Sequence, residues 1–589
     1  MQPVQTPIIH QLRRIRLWYG ALLVLSAIFI IRLFYLQVIR HDYYQKAALS
    51  DQLKEYQIPA ERGVITAHSG NQQAPLVLNE TLYTLFADPK YVQDTWQAAH
   101  KVQDVIGGNA ADYEKAMKTD SRYVILAKKL TKDQKAKIDD LKLKGVGTRE
   151  AVYRTYPQGQ LASQLLGFVN DDGQGKYGIE QAMNNELKGT PGQLKAITDA
   201  QGVPLASNRD NVDIAPNPGK QLQLTVDLGM QQQLEDILKQ GLDAAKSTSG
   251  GALIMDPNTG AIKAMANYPT YSPAQFFNVT DPAVFTNAVV SSPMEVGSTM
   301  KPLTAAAALD QGVVTKDTTY FDPSRWKIGD ATVTNIEEDG GPGVRSISDI
   351  LQLSLNTGAT WLLMQMGGGQ INQKARVAWH SYLVDHYQFG KSTGVEQGYE
   401  ADGYVPSPTD GFGLDIQYAN MAFGQGMAIT PLQLGAALSS VVNGGTYYKP
   451  YLIEKTVDEN NNKVTVKQPQ IAKTGVVKPE VSQTIKSLME YVISKNYLTY
   501  GMSRPRPEYS IGGKTGTAQD PKPGGGYYED RFNGTFMGFV GGDKAQYVIV
   551  VRVNEPKIGG YAGSKAAAPI FGKLANMLID NFSVTPKGQ

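Results

Sequence analysis

The sequence predicts an α+β fold, and three observations carry that expectation. Strand-like segments stand at both ends of the long C-terminal region, 222–226 and 251–255 at one end, 533–540 and 547–553 at the other. Helical patterns, among them 230–245 and 348–366, lie between these ends, and another over 565–581 closes the chain. A sheet whose edge and centre come from distant sequence, with helices between, is an α+β arrangement. Composition agrees, because 19% charged and 42% hydrophobic residues exclude both a disordered chain and a multi-span membrane protein.

Composition also narrows the chemistry. Lys and Arg number 57 against 55 Asp and Glu, a net charge of +2 that is too balanced for a nucleic-acid binder working by charge alone. Cysteine is absent, which excludes disulfides, thiol catalysis, Fe–S clusters and cysteine zinc sites. The six histidines, at 10, 41, 68, 100, 380 and 386, form no HExxH-like pair, so neither a metal nor another cofactor is expected. Hydroxyls, amines and carboxylates must carry any reaction.

Taken in chain order, residues 17–31 form an uncharged apolar run that continues past Arg32 through Leu33-Phe34-Tyr35-Leu36. A span over 17–38 is long enough for a bilayer, with Arg32 able to snorkel and Tyr35 suited to the headgroup belt. Arg13, Arg14 and Arg16 precede it, so the positive-inside rule places residues 1–16 in the cytoplasm and the rest outside. A cleaved signal peptide fits less well, because the small-x-small site Ala48-Leu49-Ser50 lies far beyond a bulky exit segment. The expectation is a single-pass signal anchor. Residues 39–90 then mix short strand-like pieces with turns, and 92–145 is charged with a helical pattern that includes Val102, Val105 and Ile106. Turns return up to Pro216-Asn217-Pro218-Gly219, which breaks helix and strand alike and sets the boundary between 39–218 and 219–589.

In the region after that boundary the candidate nucleophile is a serine activated by an amine. Ser-x-x-Lys puts both side chains on one face of a helix. It occurs at Ser298-Thr299-Met300-Lys301 and at Ser324-Arg325-Trp326-Lys327. The first follows Val296-Gly297 and leads into Pro302 and an alanine run, a turn into a helix start. The second leads from a turn into a strand, where the two side chains do not share a face, and reads as an ordinary turn serine. Ser354-Leu355-Asn356 follows within the helical stretch 348–366. Lys-Thr-Gly occurs at Lys473, with no paired strand in view, and at Gly513-Lys514-Thr515-Gly516-Thr517, where flanking glycines let a substrate backbone lie close. Lys514, Thr515 and Thr517 could bind a carboxylate there.

SxxK, SxN and KTG in this order and at these separations resemble the serine acyltransferases that include penicillin-binding proteins and β-lactamases. Further segments are similar to class B penicillin-binding proteins, so the resemblance covers nearly the whole chain. They are Arg32-Leu33-Phe34-Tyr35-Leu36-Gln37, Glu61-Arg62-Gly63-Val64-Ile65, Tyr177-Gly178-Ile179-Glu180, Gly424-Gln425-Gly426 and Thr430-Pro431-Leu432-Gln433. Two departures stand out. Val296 replaces the usual proline before Gly297, and Ala67-His68-Ser69 stands where an Asp-Arg pair is common.

The resemblance implies a transpeptidase domain over 219–589, an antiparallel sheet flanked by helices with a helical subdomain. An elongated α+β pedestal domain of the dimerisation type over 39–218 and one N-terminal transmembrane helix would precede it. It implies that Ser298 attacks the carbonyl between the two terminal D-alanines of a peptidoglycan stem peptide, with Lys301 as base. Ser354 would relay the proton, Asn356 would hold the substrate amide, and Lys514, Thr515, Gly516 and Thr517 would line the carboxylate side. Backbone N–H groups of Ser298 and Thr517 would form the oxyanion hole. β-Lactams would be inhibitors, and a SEDS-family glycosyltransferase in the membrane the expected partner. Two alternatives are a D,D-carboxypeptidase, with water as acceptor, and a non-catalytic β-lactam-binding sensor or scaffold.

Overall fold

The computed structural model describes residues 8–44, 53–197, 212–335, 340–522 and 526–589. The chain divides into two compact units, Met1–Ala60 with Gly189–Pro218, and Glu61–Lys188 with Gly219–Gln589. The Pro216-Asn217-Pro218-Gly219 break therefore falls at a junction between units.

In the first unit, helix Ile8–Phe34 runs on into a wide π turn, Tyr35–Ile39. Its apolar part, Arg14–Ile39, has 26 residues. At 1.5 Å per residue that is about 39 Å, longer than the roughly 30 Å hydrocarbon core of a bilayer. Leu22 and Phe29 on this helix are exposed, a favourable state in lipid and a costly one in water. The same unit contains an antiparallel three-stranded sheet, Leu53–Ile58, Gly192–Ile197 and Val212–Ile214, that pairs chain segments far apart in sequence.

In the second unit a mixed sheet joins strands from three parts of the chain. Its order is Lys463–Val466, Ile453–Asp458, Gln221–Asp227, Ile65–Ser69, Gln72–Ala87 and Val124–Leu130, with Val146–Thr155 also paired to Gln72–Ala87. The region 92–145, expected to be helical, contains helices Thr95–Ile106, Ala110–Met117 and Lys132–Asp140. Their N-caps are Asp94, Asn109 and Thr131, which accept from backbone N–H groups of the first turn. Between the last two helices lies the strand Val124–Leu130, which that reading missed. Its pairing with Gln72–Ala87 overrides the local helical composition. Leu85, Val102 and Ile138 form the core between these helices and the sheet.

The segments at Arg62 and Glu180 meet in a buried ionic cluster. Glu180, fully buried, accepts from Arg62 at 2.6 Å and from Arg154 at 2.9 Å. With two guanidiniums on one carboxylate, removing Glu180 would strand two buried cations.

The site is built on a five-stranded antiparallel sheet in the order Ile262–Tyr268, Ser249–Met255, Ala545–Asn554, Tyr527–Gly541 and Ser510–Pro521. Two strands come from 249–268 and three from the last eighty residues, as the strand signals at 251–255, 533–540 and 547–553 predict, whereas the strand expected at 222–226 pairs into the mixed sheet instead. Helix Leu228–Ala244, capped by Asp227, packs with Ala568–Asn581. Helix Pro431–Val442, every residue of which is buried, begins with a capping box between Thr430 and Gln433.

Two local expectations change. The stretch 348–366 is two helices, Ile347–Gln352 and Asn356–Met366, broken at Ser354, whose φ is +60°. A left-handed residue cannot continue a right-handed helix. Lys473 does lie on a paired strand, Ile471–Thr474 against Thr446–Tyr448, a two-stranded sheet separate from the five-stranded one.

Candidate active site

Ser298 sits in a tight 3-10 turn, Gly297–Met300, that opens helix Lys301–Asp310. Pro302 falls in the first turn, where its missing N–H costs nothing. Gly297 is required, because its φ is +57° and a Cβ there would stand 2.7 Å from the Thr517 carbonyl oxygen. Its N–H donates to Gly424 O at 3.0 Å, which ties the serine turn to the Gly424-Gln425-Gly426 segment. On the other side, a Cβ on Gly516 would stand 2.2 Å from Val296 O. Glycine at 516 is what lets the edge strand Ser510–Pro521 lie against the serine turn.

Two amines converge beside this turn. The side chains of Lys301 and Lys514 are both fully buried. Lys301 Nζ donates to Asn356 Oδ1 at 2.8 Å, to Ser354 Oγ at 3.3 Å and to the Ser354 carbonyl. Lys514 Nζ donates to the same Ser354 Oγ at 2.9 Å and to Thr515 O at 3.1 Å. The Ser354 hydroxyl thus bridges two amines, and the break between helices is what turns it toward them. An unbroken helix would have carried Ser354 and Asn356 on different faces.

A cavity of about 400 Å³ opens here, lined by Ser298, Ser354, Asn356, Tyr500, Thr515 and Thr517 among others. The three motifs read from sequence are therefore brought to one place. Ser324 and Lys327 are not among the residues lining it. Thr517 Oγ1 accepts from Gly563 N–H at 3.0 Å. Among the described residues, no cluster of three or more His, Asp or Glu side chains is arranged to hold a metal ion.

Sequence reasoning missed several supporting residues. Buried Asp322 accepts from Thr357 Oγ1 at 2.8 Å, Asn335 Nδ2 at 3.0 Å and Ser324 N–H at 2.8 Å. Asn335 Oδ1 in turn accepts from Thr357 N–H at 3.0 Å, and Asn356 Nδ2 donates to Thr334 O at 3.1 Å. The orientation of Asn356 is thus set by a network behind it. Asn496 donates to Tyr500 OH at 3.2 Å, and burial pushes the Tyr500 phenol up, which keeps it neutral. Glu295, three residues before Ser298, accepts from Gly426 N–H and from Tyr527 OH, both at 2.8 Å. Burial raises its pKa. No motif spacing announces these residues, although Thr357 directly follows Asn356 and Glu295 stands three residues before Ser298.

The transpeptidase domain of penicillin-binding proteins matches residues 250–576, and the penicillin-binding protein dimerisation domain matches 57–224. Stage V sporulation protein D of Bacillus subtilis (strain 168) is 32% identical over 568 residues, covering 94% of this chain and 84% of that protein. Peptidoglycan D,D-transpeptidase FtsI of Escherichia coli (strain K12) is 28% identical over 585 residues, covering 97% and 92%. Penicillin binding protein 2X from Streptococcus thermophilus superposes with a TM-score of 0.72 at 22% identity, over 90% of this chain and 81% of that one, a likeness of fold. The chain belongs to the penicillin-binding protein transpeptidase family, with a dimerisation domain ahead of the catalytic one.

Proposed function

We propose that this protein is a D,D-transpeptidase that cross-links peptidoglycan stem peptides in cell-wall synthesis through an acyl-enzyme on Ser298. The supporting observation is the pair of buried amines, Lys301 and Lys514, on the one Ser354 hydroxyl beside the Ser298 turn. Ser298 Oγ attacks the carbonyl carbon between the terminal D-alanines, and its proton passes to Lys301, which must therefore act as a free amine. Burial beside a second amine opposes charging both. As the C–N bond breaks, the leaving amine takes up a proton relayed through Ser354, with Lys514 holding that hydroxyl. An acceptor amine from a second stem peptide then attacks the ester carbonyl and gives up a proton to Lys301. Ser298 is released protonated and the new amide closes the cross-link.

The remaining groups take up binding. Asn356 holds the donor amide, and Thr515, Gly516 and Thr517 receive the terminal carboxylate along the edge strand. The N–H groups of Ser298 and Thr517 form the oxyanion hole. A β-lactam enters as a mimic of the donor and leaves a slowly hydrolysed ester. Residues 1–16 are read as the cytoplasmic tail, 17–38 as the anchor, 39–218 as the pedestal and 219–589 as the catalytic domain. The last would lie outside the membrane, and the anchor and pedestal would engage a SEDS-family glycosyltransferase. The test is labelling with a fluorescent penicillin. Wild type takes up label on the peptide containing Ser298, and Ser298→Ala takes up none; label retained by Ser298→Ala sinks the assignment.

A further inference from the structure

The strands Gln72–Ala87, Val124–Leu130 and Val146–Thr155 have helices packed on the face that carries Leu85. Strand alternation puts Thr84, Arg149 and Tyr153 on the opposite face, and the Thr84 and Tyr153 hydroxyls meet there at 2.6 Å. That face forms one wall of a groove of about 840 Å³, closed on the far side by residues from 169–173 and 273–277. The catalytic scheme uses none of them.

Three features of the groove point to a ligand. The first is charge. Lys128, Lys129, Arg149 and Arg154 line it, and Asp171 is the one acidic residue in the lining. Asp171 pairs with Lys128 at 2.8 Å, and Arg154 is held by Glu180. Lys129 and Arg149 have no carboxylate partner among the described residues. Arg149 lies 5.4 Å from the Tyr123 ring centroid, and Lys129 donates across the groove to Ala274 O at 3.1 Å. Lys129 also holds a φ of +64°, a costly conformation for a lysine. The second is an aromatic wall of Tyr153, Phe276 and Phe277, with Phe276 stacked on Phe168 at 4.2 Å and Phe277 left 68% exposed. The third is Tyr156, a residue that lines the groove and whose buried hydroxyl has no hydrogen-bond partner among the described residues. It has given up water without gaining a protein acceptor.

Unpaired cations, an exposed aromatic face and a free hydroxyl donor suit a polymer that has both carboxylates and sugar rings. A volume of this size accommodates several sugar or peptide units, not a single ion. Such a polymer is the substrate itself under the function proposed above, on which this inference rests. We infer that the groove binds an uncross-linked peptidoglycan strand at a second site apart from Ser298. Stem-peptide carboxylates lie against Lys129 and Arg149, a sugar face lies on Phe277, and Tyr156 donates to a strand oxygen.

The experiment uses the full chain in detergent, acylated beforehand with benzylpenicillin so that the Ser298 cavity is blocked. Binding of purified uncross-linked peptidoglycan strands is read by fluorescence anisotropy. Wild type binds, more weakly as salt rises. Lys129→Glu with Arg149→Glu loses at least about tenfold in affinity, and Tyr156→Phe loses about threefold, while the rate of penicillin acylation stays at the wild-type value. Unchanged strand binding by the double variant, with acylation intact, overturns the inference. So does displacement of the strands by glycan-free polyglutamate as effective as by the strands themselves, which would mark a site for acidic peptide. A wild type that binds strands yet is never acylated would instead sink the transpeptidase reading and leave the groove standing.

Discussion

Ser354 is the position where conformation and chemistry can be separated by two substitutions. Its hydroxyl accepts from Lys301 at 3.3 Å and from Lys514 at 2.9 Å, and its backbone sits at φ +60°. Ser354→Ala removes the bridge and keeps the strained backbone. Each amine keeps other acceptors, Asn356 Oδ1 and the Ser354 carbonyl for Lys301, and Thr515 O for Lys514. The stability lost is therefore modest, about 1–2 kcal/mol. The chemical loss is larger, since a positioned proton relay contributes about 10²–10⁴-fold. Ser354→Gly loses the same hydroxyl and relieves a left-handed conformation that costs an L-residue roughly 1–2 kcal/mol, so it should be about 1 kcal/mol more stable than the alanine variant. The assays are stopped-flow acylation by a chromogenic penicillin and denaturation of the full chain in detergent. Both variants should acylate slowly by the same factor while differing in stability. Acylation of Ser354→Ala near the wild-type rate refutes the relay; an alanine variant as stable as the glycine one refutes the conformational argument.

Three further outcomes are expected. Gly516→Ala puts a Cβ 2.2 Å from Val296 O, and should cost about 1–3 kcal/mol by overpacking and abolish acylation, read by melting and penicillin labelling. Asp322→Ala leaves the donors on Thr357, Asn335 and Ser324 unpaired, so it should destabilise by about 3 kcal/mol and slow acylation by loosening the support behind Asn356, measured by the same two assays. Glu295 has a folded pKa raised by burial, so folding favours its protonated form. That contribution is fully present below the unfolded value and is lost as pH rises through the folded one. Glu295→Gln should therefore flatten the fall in melting temperature between acidic and neutral pH, and an unchanged slope would show that Glu295 does not contribute to it.

The catalytic sheet was legible in large part because most of its strands are short apolar runs bounded by turn residues, but nothing within 222–226 shows that this strand pairs into the other sheet. The N-terminal apolar helix was legible for a similar reason, being an apolar run behind arginines that only Arg32 interrupts. The break at Ser354 was not, since 348–366 reads as a helix throughout and a single positive φ leaves no compositional mark. Strand Val124–Leu130 was hidden among lysines because its pairing partner lies some forty residues earlier. The motif residues Ser298, Lys301, Asn356 and Lys514 could be named in advance, since each belongs to a fixed spacing. The groups behind them could not. Asp322 meets Thr357 across thirty-five residues, and Glu295 meets Tyr527 across more than two hundred. Such pairs are set by the fold and by no local pattern.

The central claim is that Ser298 carries an acyl group from one stem peptide to the amine of another. Its most direct test supplies the full-length protein with uncross-linked peptidoglycan and resolves the products by mass. Wild type should yield dimeric stem peptides with release of D-alanine, and Ser298→Ala neither. Dimers formed by Ser298→Ala, or D-alanine released by wild type with trimmed monomers as the sole product, would contradict it.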